Sequence, residues 1–301
     1  MSPKRSILIT GCSDRSLGSH LALQFHFAGW RVFASARNMA KLKDAEKAGI
    51  ETVQLDTLSD ESIAACVSTI EKLTAGTGND GKGSLDALLN NAGAGYSMPL
   101  MDIEIDKAKQ LFDLNVWSLI SVSRAFLPLL MNSPHAAKDE ALLINHTSVS
   151  GIIAGTGPFA GSYNMSKAAA SSMTETLRRE LQPFGIRVIN LITGAVQSNF
   201  HDNAGAPVLP ATSLYNLAKE KVEESMINTN HADDTAAEQW AKNVVRDMTR
   251  PKPAFWIWRG KLSTYVWMAT YLPIGLFNGV LQRWVGLDIV ERRYKEQKRW
   301  I

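Results

Sequence analysis

The sequence predicts an α/β fold: a three-layer, doubly wound parallel sheet followed by an apolar C-terminal extension. Three observations predict it. Short apolar runs alternate with stretches of helical periodicity between residues 6 and 192, the pattern of a parallel sheet covered on both faces. The connections between most of them are short, as in βα units. Gly11, Arg37, Asp56, Asn91, Ser148 and Thr193 each fall just after a strand-like run, at the carboxyl end where such sheets bind ligands.

Residues 6–10 form an apolar run of the buried-strand kind, ended by Gly11. A helical pattern begins near Leu17 and stops at Gly29. Residues 31–36 read as the second strand, and Asn38 as the cap of the next helix. Residues 51–55 are a third strand, and Ser59 is the N-cap of a helix reaching Leu73. A glycine-rich loop, 74–84, leads into a fourth strand at 85–90. One long helix is expected over 105–131, a fifth strand over 141–147, and a sixth over 186–192. Between the last two lies a helix that ends at Pro183-Phe184-Gly185. The long connection 199–232, with Gly205, Pro207 and Pro210, follows strand six and reads as a substrate lid with a helical stretch at 213–226. Asp233 and Asp234 are expected to cap a helix to Met248, and 254–258 to form a seventh strand. The expected division is a catalytic domain over 1–260 and an aromatic, basic extension over 261–301.

The chemistry centres on Gly161-Ser162-Tyr163-Asn164-Met165-Ser166-Lys167. Residues four apart share a helical face, with roughly 6 Å between Cβ atoms. An ammonium there favours the phenolate, so the Tyr163 pKa is expected to fall from about 10. Such a phenol can protonate a carbonyl oxygen while a hydride reaches its carbon. Spacing alone does not single it out, because Tyr215…Lys219 and Tyr294…Lys298 repeat it. Those pairs read as solvated helix faces. Small neighbours and Ser148 upstream set Tyr163 apart.

Thr10-Gly11-Cys12-Ser13-Asp14-Arg15-Ser16-Leu17-Gly18 joins the first strand to the first helix. Glycines there let backbone N–H groups approach a pyrophosphate, the Rossmann-type arrangement. Only the outer glycines are present; Arg15-Ser16 takes the middle. Arg37 sits where an acidic residue would bind a free ribose 2′-hydroxyl, and no Asp or Glu lies between Arg31 and Arg37. Arg15 and Arg37 suit a 2′-phosphate, which favours NADPH. Asp56 would lie near the adenine.

Composition excludes little but is ordinary for a globular chain: 301 residues, 45% apolar and 20% charged. Nothing suggests nucleic acid. Cys12 and Cys66 fit neither a disulfide framework nor a metal site, so a reducing compartment is expected. The start of the chain carries no signal-peptide pattern. The net charge of +3 divides unevenly, because residues 250–301 hold ten Lys/Arg against three Asp/Glu, +7, which leaves −4 for residues 1–249. Residues 262–282 run 21 positions without a charge. Pro273, Gly275, Asn278 and Gly279 interrupt them, which argues against a full membrane span. Two readings stay open and are compatible: docking on a membrane surface through 254–285, with Arg259, Lys261, Arg283 and Trp284 on the flanks, or folding back as an apolar wall of the substrate pocket.

Taken together, Thr10-Gly11…Gly18, Asn90-Asn91-Ala92-Gly93, Asn115, Ser148, Tyr163…Lys167 and Gly194-Ala195-Val196-Gln197-Ser198 resemble the short-chain dehydrogenase/reductase family over residues 5–200. Gly95-Tyr96-Ser97-Met98-Pro99-Leu100, Asp113-Leu114-Asn115-Val116-Trp117 and Trp256-Ile257-Trp258-Arg259-Gly260 carry a closer likeness to fungal-type 1-acyldihydroxyacetone-phosphate reductases. The resemblance implies NADPH/NADP as cofactor, held at Gly11, Ser13, Arg15, Leu17, Gly18, Arg37, Asp56, Asn91, Arg124, Val196 and Ser198. It implies Tyr163 as proton donor, Lys167 on the nicotinamide ribose, Ser148 on the substrate oxygen, and Asn115 anchoring a proton-relaying water. Thr193 stands where the family usually has proline, and Ser198 where threonine is commoner. The expected activity is reduction of an apolar ketone, either an acyl-dihydroxyacetone phosphate or a ketone of a fungal secondary-metabolite pathway. A cofactor-binding module without turnover is the rival from another class. A homo-oligomer is expected, on the cytoplasmic side, peripheral on endoplasmic reticulum or a lipid-droplet surface.

Overall fold

A computed structural model describes residues 4–138, 140–153, 157–200, 206–227 and 233–298. Seven parallel strands form one sheet in the order β3-β2-β1-β4-β5-β6-β7. The strands are β1 (Ser6–Ile9), β2 (Arg31–Ala36), β3 (Glu51–Gln54), β4 (Ala87–Asn90), β5 (Ala141–Ser148), β6 (Ile186–Thr193) and β7 (Trp256–Arg259). The order runs outward from β1 in one direction and from β4 in the other. That reversal opens a crevice at their carboxyl ends.

The strands are apolar on both sides because both faces are covered. Ile7 and Ile9 point into one core with Leu21 and Phe25 of α1 (Leu17–Phe27) and Trp240, Val244 and Met248 of α8 (Ala237–Met248). Leu8 points into the other core, with Ile63 and Ile70 of α3 (Asp60–Leu73) and Val122 and Phe126 of α5 (Ser118–Met131). The three predicted layers are therefore present. Ser59 caps α3 by accepting from Ser62 N, and Asp60 and Glu61 in the first turn oppose Lys72 in the last.

Several elements differ from their sequence expectation. Asn38 caps only a 3₁₀ turn, Met39–Lys41, and α2 (Lys43–Lys47) starts after Leu42. The helix over 105–131 is three pieces: α4 (Ile105–Phe112), a π turn (Asp113–Trp117) and α5. That run is long and apolar enough to cross a membrane, yet half of its apolar window is buried. Val122, Phe126 and Leu129 of it pack on the sheet. Asp233 and Asp234 do not cap α8: it begins at Ala237 behind Ala236, and Asp234 lies 4.0 Å from Lys261 instead. β7 is Trp256–Arg259, later than 254–258.

Of the expected lid 199–232, residues 201–205 and 228–232 lie outside the described residues. The rest contains a 3₁₀ turn, Leu214–Ala218, and α7 (Lys219–Ile227). The uncharged stretch 262–282 is not one helix. It holds α9 (Ser263–Ala269), a break at Pro273 and Gly275, where φ is +93°, and the start of α10 (Asn278–Val285). After Gly286 comes α11 (Leu287–Lys298). Val285, Leu287, Ile289 and Val290 pack with Phe159, Leu209, Val222 and Met226 into a third apolar cluster. The extension is thus built into the lobe that carries α7.

Candidate active site

The glycine loop leaves β1 at the centre of the sheet. Gly11 has φ +72°, a left-handed conformation glycine adopts without strain. Ser16 caps α1, accepting from Ser19 N (3.1 Å) and donating to Gly11 O (3.0 Å). Gly18 lies in the first turn; a Cβ there would sit 2.5 Å from Asn91 Nδ2 and closer still to Gly11 O. Arg15 takes the place of the missing middle glycine and keeps a glycine-like backbone, with φ +63°. That conformation costs a non-glycine residue about 1–2 kcal/mol. Ser13 and Leu17 flank it, both half-buried.

Asn91 follows β4 and stitches the loop shut. Its Nδ2 donates to Thr10 O (2.8 Å) and Gly11 O (3.1 Å), while Thr10 Oγ1 accepts from Asn91 N and Ala92 N, both at 2.9 Å. Arg37 is exposed just past β2. Asp56 follows β3, and its carboxylate accepts from Leu58 N. Arg124 is set apart from these residues. It is exposed, about 200° around α5 from sheet-facing Val122. Expected on the cofactor side, Arg124 faces away from the sheet.

Ser148 ends β5, and α6 (Gly161–Glu180) brings Tyr163 to it, their side chains hydrogen-bonded. Ser148 Oγ also accepts from Ser150 N (3.2 Å). Lys167 is buried one turn along α6, its Nζ 5.9 Å from the Tyr163 ring centroid and donating to His146 O (3.0 Å). Burial lowers the Lys167 pKa to about 8. Tyr163 moves opposite to the sequence expectation. Burial raises its pKa, and the Ser148 bond only partly offsets this. Spacing reveals the lysine but not the loss of water around the phenol, and desolvation is the larger effect.

Asn115 sits in the π turn and is fully buried. Its Nδ2 donates to Ala94 O (2.9 Å) and Ser166 Oγ (3.0 Å), and its Oδ1 accepts from Ala94 N (3.0 Å). Ser166 in turn donates to Tyr163 O (2.7 Å). The amide therefore clamps the 91–94 loop to the Tyr163 helix. A π turn re-aims a side chain within a helix, and such turns recur at functional sites.

On the far side, β6 ends at Thr193. Val196 is buried, bridges in parallel to Thr235, and lies against Gly260, while Ser198 accepts from Phe200 N. Sequence reasoning missed three side chains that shape this region. The Phe200 ring lies 5.7 Å from the Tyr163 ring. The His146 side chain bridges Asn91 and Thr193, and Trp240 stacks on it at 5.4 Å. The available signal was Asn145-His146-Thr147-Ser148, four polar residues closing a strand whose every position is buried.

The residues present fit a nicotinamide dinucleotide. The loops that would hold it are close-packed at positions where a Cβ would intrude: Gly11, Gly18, and Gly93, whose Cβ would come within 3.1 Å of Asn115 Oδ1 and 3.5 Å of Lys167 Nζ. Fold and site together define a dinucleotide-dependent oxidoreductase. Residues 5–209 match the family model described as short chain dehydrogenase. The chain is 42% identical over 299 residues to a short-chain dehydrogenase/reductase of Pestalotiopsis microspora, covering 98% of this chain and 99% of that one. It is 30% identical to the NADPH-dependent 1-acyldihydroxyacetone phosphate reductase of Schizosaccharomyces pombe, over 92% of this chain and 93% of that one. Among solved structures, a short-chain dehydrogenase from Streptomyces avermitilis superposes with TM-score 0.72 at 20% identity, over 96% and 98% of the two chains. One from Burkholderia cenocepacia in complex with NADP gives 0.67 at 21%, over 92% and 97%. The chain belongs to the short-chain dehydrogenase/reductase family.

Proposed function

We propose that this oxidoreductase is an NADPH-dependent carbonyl reductase acting on an apolar ketone. The observation that carries the reading is Tyr163 hydrogen-bonded to Ser148, with Lys167 buried beside it. Ser148 holds the substrate carbonyl oxygen, and Tyr163 gives that oxygen its proton. A phenol whose pKa is raised stays protonated at neutral pH, which suits a proton donor. The Lys167 ammonium then stabilises the phenolate left behind. Bound reduced nicotinamide would supply the hydride to the carbonyl carbon. Asn115, through Ala94 and Ser166, holds the Tyr163 helix against the loop after β4.

The preference for NADPH rests on Arg15 and Arg37 and on the lack of a carboxylate at the end of β2. Arg37→Asp is expected to weaken NADPH binding more than tenfold while changing NADH binding less than threefold, as the lost ion pair and new repulsion act only on the 2′-phosphate. Equal losses for the two cofactors in a fluorescence titration would remove Arg37 from the phosphate site.

An apolar substrate is favoured by the lobe beside Tyr163. Phe200 lies against its ring, and Phe159, just ahead of α6, packs with Tyr215, Leu209 and the lid helix. Apolar polyketide-type ketones and an acyl-dihydroxyacetone phosphate are the two substrate arms to test, with NADPH consumption as the readout. Turnover of neither sinks the reading.

The same lobe bears an exposed apolar face, which supports docking on a lipid surface. Ile274 is 89% exposed, Tyr271 75% and Trp284 61%. The surrounding residues 250–301 carry +7. Aromatic and aliphatic side chains on a segment of net positive charge suit an anionic interface. Deleting the segment would strip β7 from the sheet, so point substitutions are the sound test. Wild-type protein is expected to float with phosphatidylserine-containing vesicles, and Tyr271→Asp/Ile274→Asp to remain at the bottom of the gradient while keeping NADPH binding. Wild-type protein that ignores such vesicles would contradict surface docking.

A further inference from the structure

We propose that His146 is a positioning residue that braces the two ends of the cofactor cradle, through one bond to Asn91 and another to Thr193, and that it does so as the Nδ1–H tautomer. The inference rests on the cradle holding the dinucleotide, and it assigns a task to a residue that the proton-transfer chemistry does not use.

His146 is the third residue from the end of β5 and is 8% exposed. Its Nδ1 lies 2.9 Å from Asn91 Oδ1 and its Nε2 2.7 Å from Thr193 Oγ1. The tautomer follows from the neighbours. The Asn91 amide nitrogen already donates to Thr10 O and Gly11 O, so the group facing His146 is the amide oxygen, which can only accept. Nδ1 must therefore carry the hydrogen. Nε2 is then the acceptor, and the Thr193 hydroxyl donates to it. All the bonds run in one direction: Thr193 to His146, His146 to Asn91, Asn91 to the glycine loop.

Two further contacts hold the ring in place. Trp240 stacks on it with 24° between the planes. Lys167 Nζ donates to the His146 carbonyl oxygen, so the same residue also fixes the ammonium of the site. Burial, helped by Lys167, pushes the imidazole pKa down to about 3, which keeps the acceptor at Nε2 free across the neutral range. Thr193 leads directly into Gly194, Val196 and Ser198. One side chain thus ties the glycine loop to the turn on the nicotinamide side. The departure at Thr193 has a use, because its hydroxyl is the donor this bridge needs.

The test is calorimetric titration of the full-length protein with NADPH and with 2′-phospho-ADP-ribose, the same ligand without its nicotinamide. Thr193→Val removes one hydroxyl at nearly constant shape. It is expected to weaken NADPH about tenfold, the scale of one buried hydrogen bond, and to leave 2′-phospho-ADP-ribose within about twofold. His146→Asn, whose amide N–H can replace Nδ1–H toward Asn91, is expected to follow that pattern. His146→Gln, whose amide oxygen can replace Nε2 toward Thr193, is expected to weaken both ligands, since the glycine loop loses its support. His146→Asn/Thr193→Val should be no worse than the poorer single variant. Unchanged NADPH binding in a Thr193→Val protein that melts like wild type would overturn the brace, as would equal losses for the two ligands in Thr193→Val or His146→Asn. Wild-type protein that binds neither ligand would overturn the cradle assignment, a failure distinct from that of His146.

Discussion

Tyr163→Phe is expected to lower kcat for ketone reduction by roughly 10²–10⁴-fold, the usual weight of a positioned general acid. The substitution removes one oxygen and keeps the ring against Phe200. KM for NADPH should change little, because Lys167 keeps its bond to the His146 carbonyl. The fold should also tolerate it. Ser148 loses its bond with the phenol, but its Oγ retains the one from Ser150 N. Steady-state kinetics with circular dichroism as a fold check would measure this. A variant with wild-type kcat would mean that another group supplies the proton.

The second large effect is expected at Gly18. Local propensity favours alanine there by about 1 kcal/mol, since the position lies in the first turn of α1. Close approach opposes it. The new Cβ would overlap Gly11 O and the Asn91 amide, and these two groups hold the glycine loop in shape. Neither is the loose end of a flexible side chain, so the loop must move. Overpacking of this kind costs about 1–3 kcal/mol, which outweighs the gain in propensity. Gly18→Ala is expected to weaken NADPH at least tenfold and to lower the melting temperature by several degrees, as destabilisation of that size implies. Binding at wild-type strength would show that the dinucleotide does not lie on this loop.

Much of this architecture was legible before any coordinates. Buried parallel strands write themselves as unbroken apolar runs, and β1, β4, β5 and β6 ended within a residue or two of expectation. The glycine loop, Ser148, Tyr163 and Lys167 were legible because each sits at a strand end or on one helical face. The failures share a cause: each depends on something outside the local pattern. A π turn changes backbone hydrogen bonding without changing residue type, so 105–131 looked like one helix. Helix membership alone does not say that Arg124 lies opposite the face that Val122 and Phe126 turn to the sheet. The Tyr163 pKa was argued from a neighbour four residues away, whereas burial by distant segments dominates. Arg15 in a left-handed conformation and the His146 bridge both require partners that only the folded chain supplies. Asp233 and Asp234 have the right side chains for a cap but stand too far ahead of Ala237.

The most direct test follows one atom. Purified protein is given NADPH deuterated at the transferring position of its nicotinamide, together with an apolar ketone, and the product is weighed by mass spectrometry. The expected product is an alcohol carrying one deuterium on its carbinol carbon, formed by wild type and at least a hundredfold more slowly by Tyr163→Phe, within the range for loss of a general acid at about 10²–10⁴. Bound NADPH that never passes its deuterium to any ketone, or an alcohol formed equally fast by the phenylalanine variant, would contradict the account.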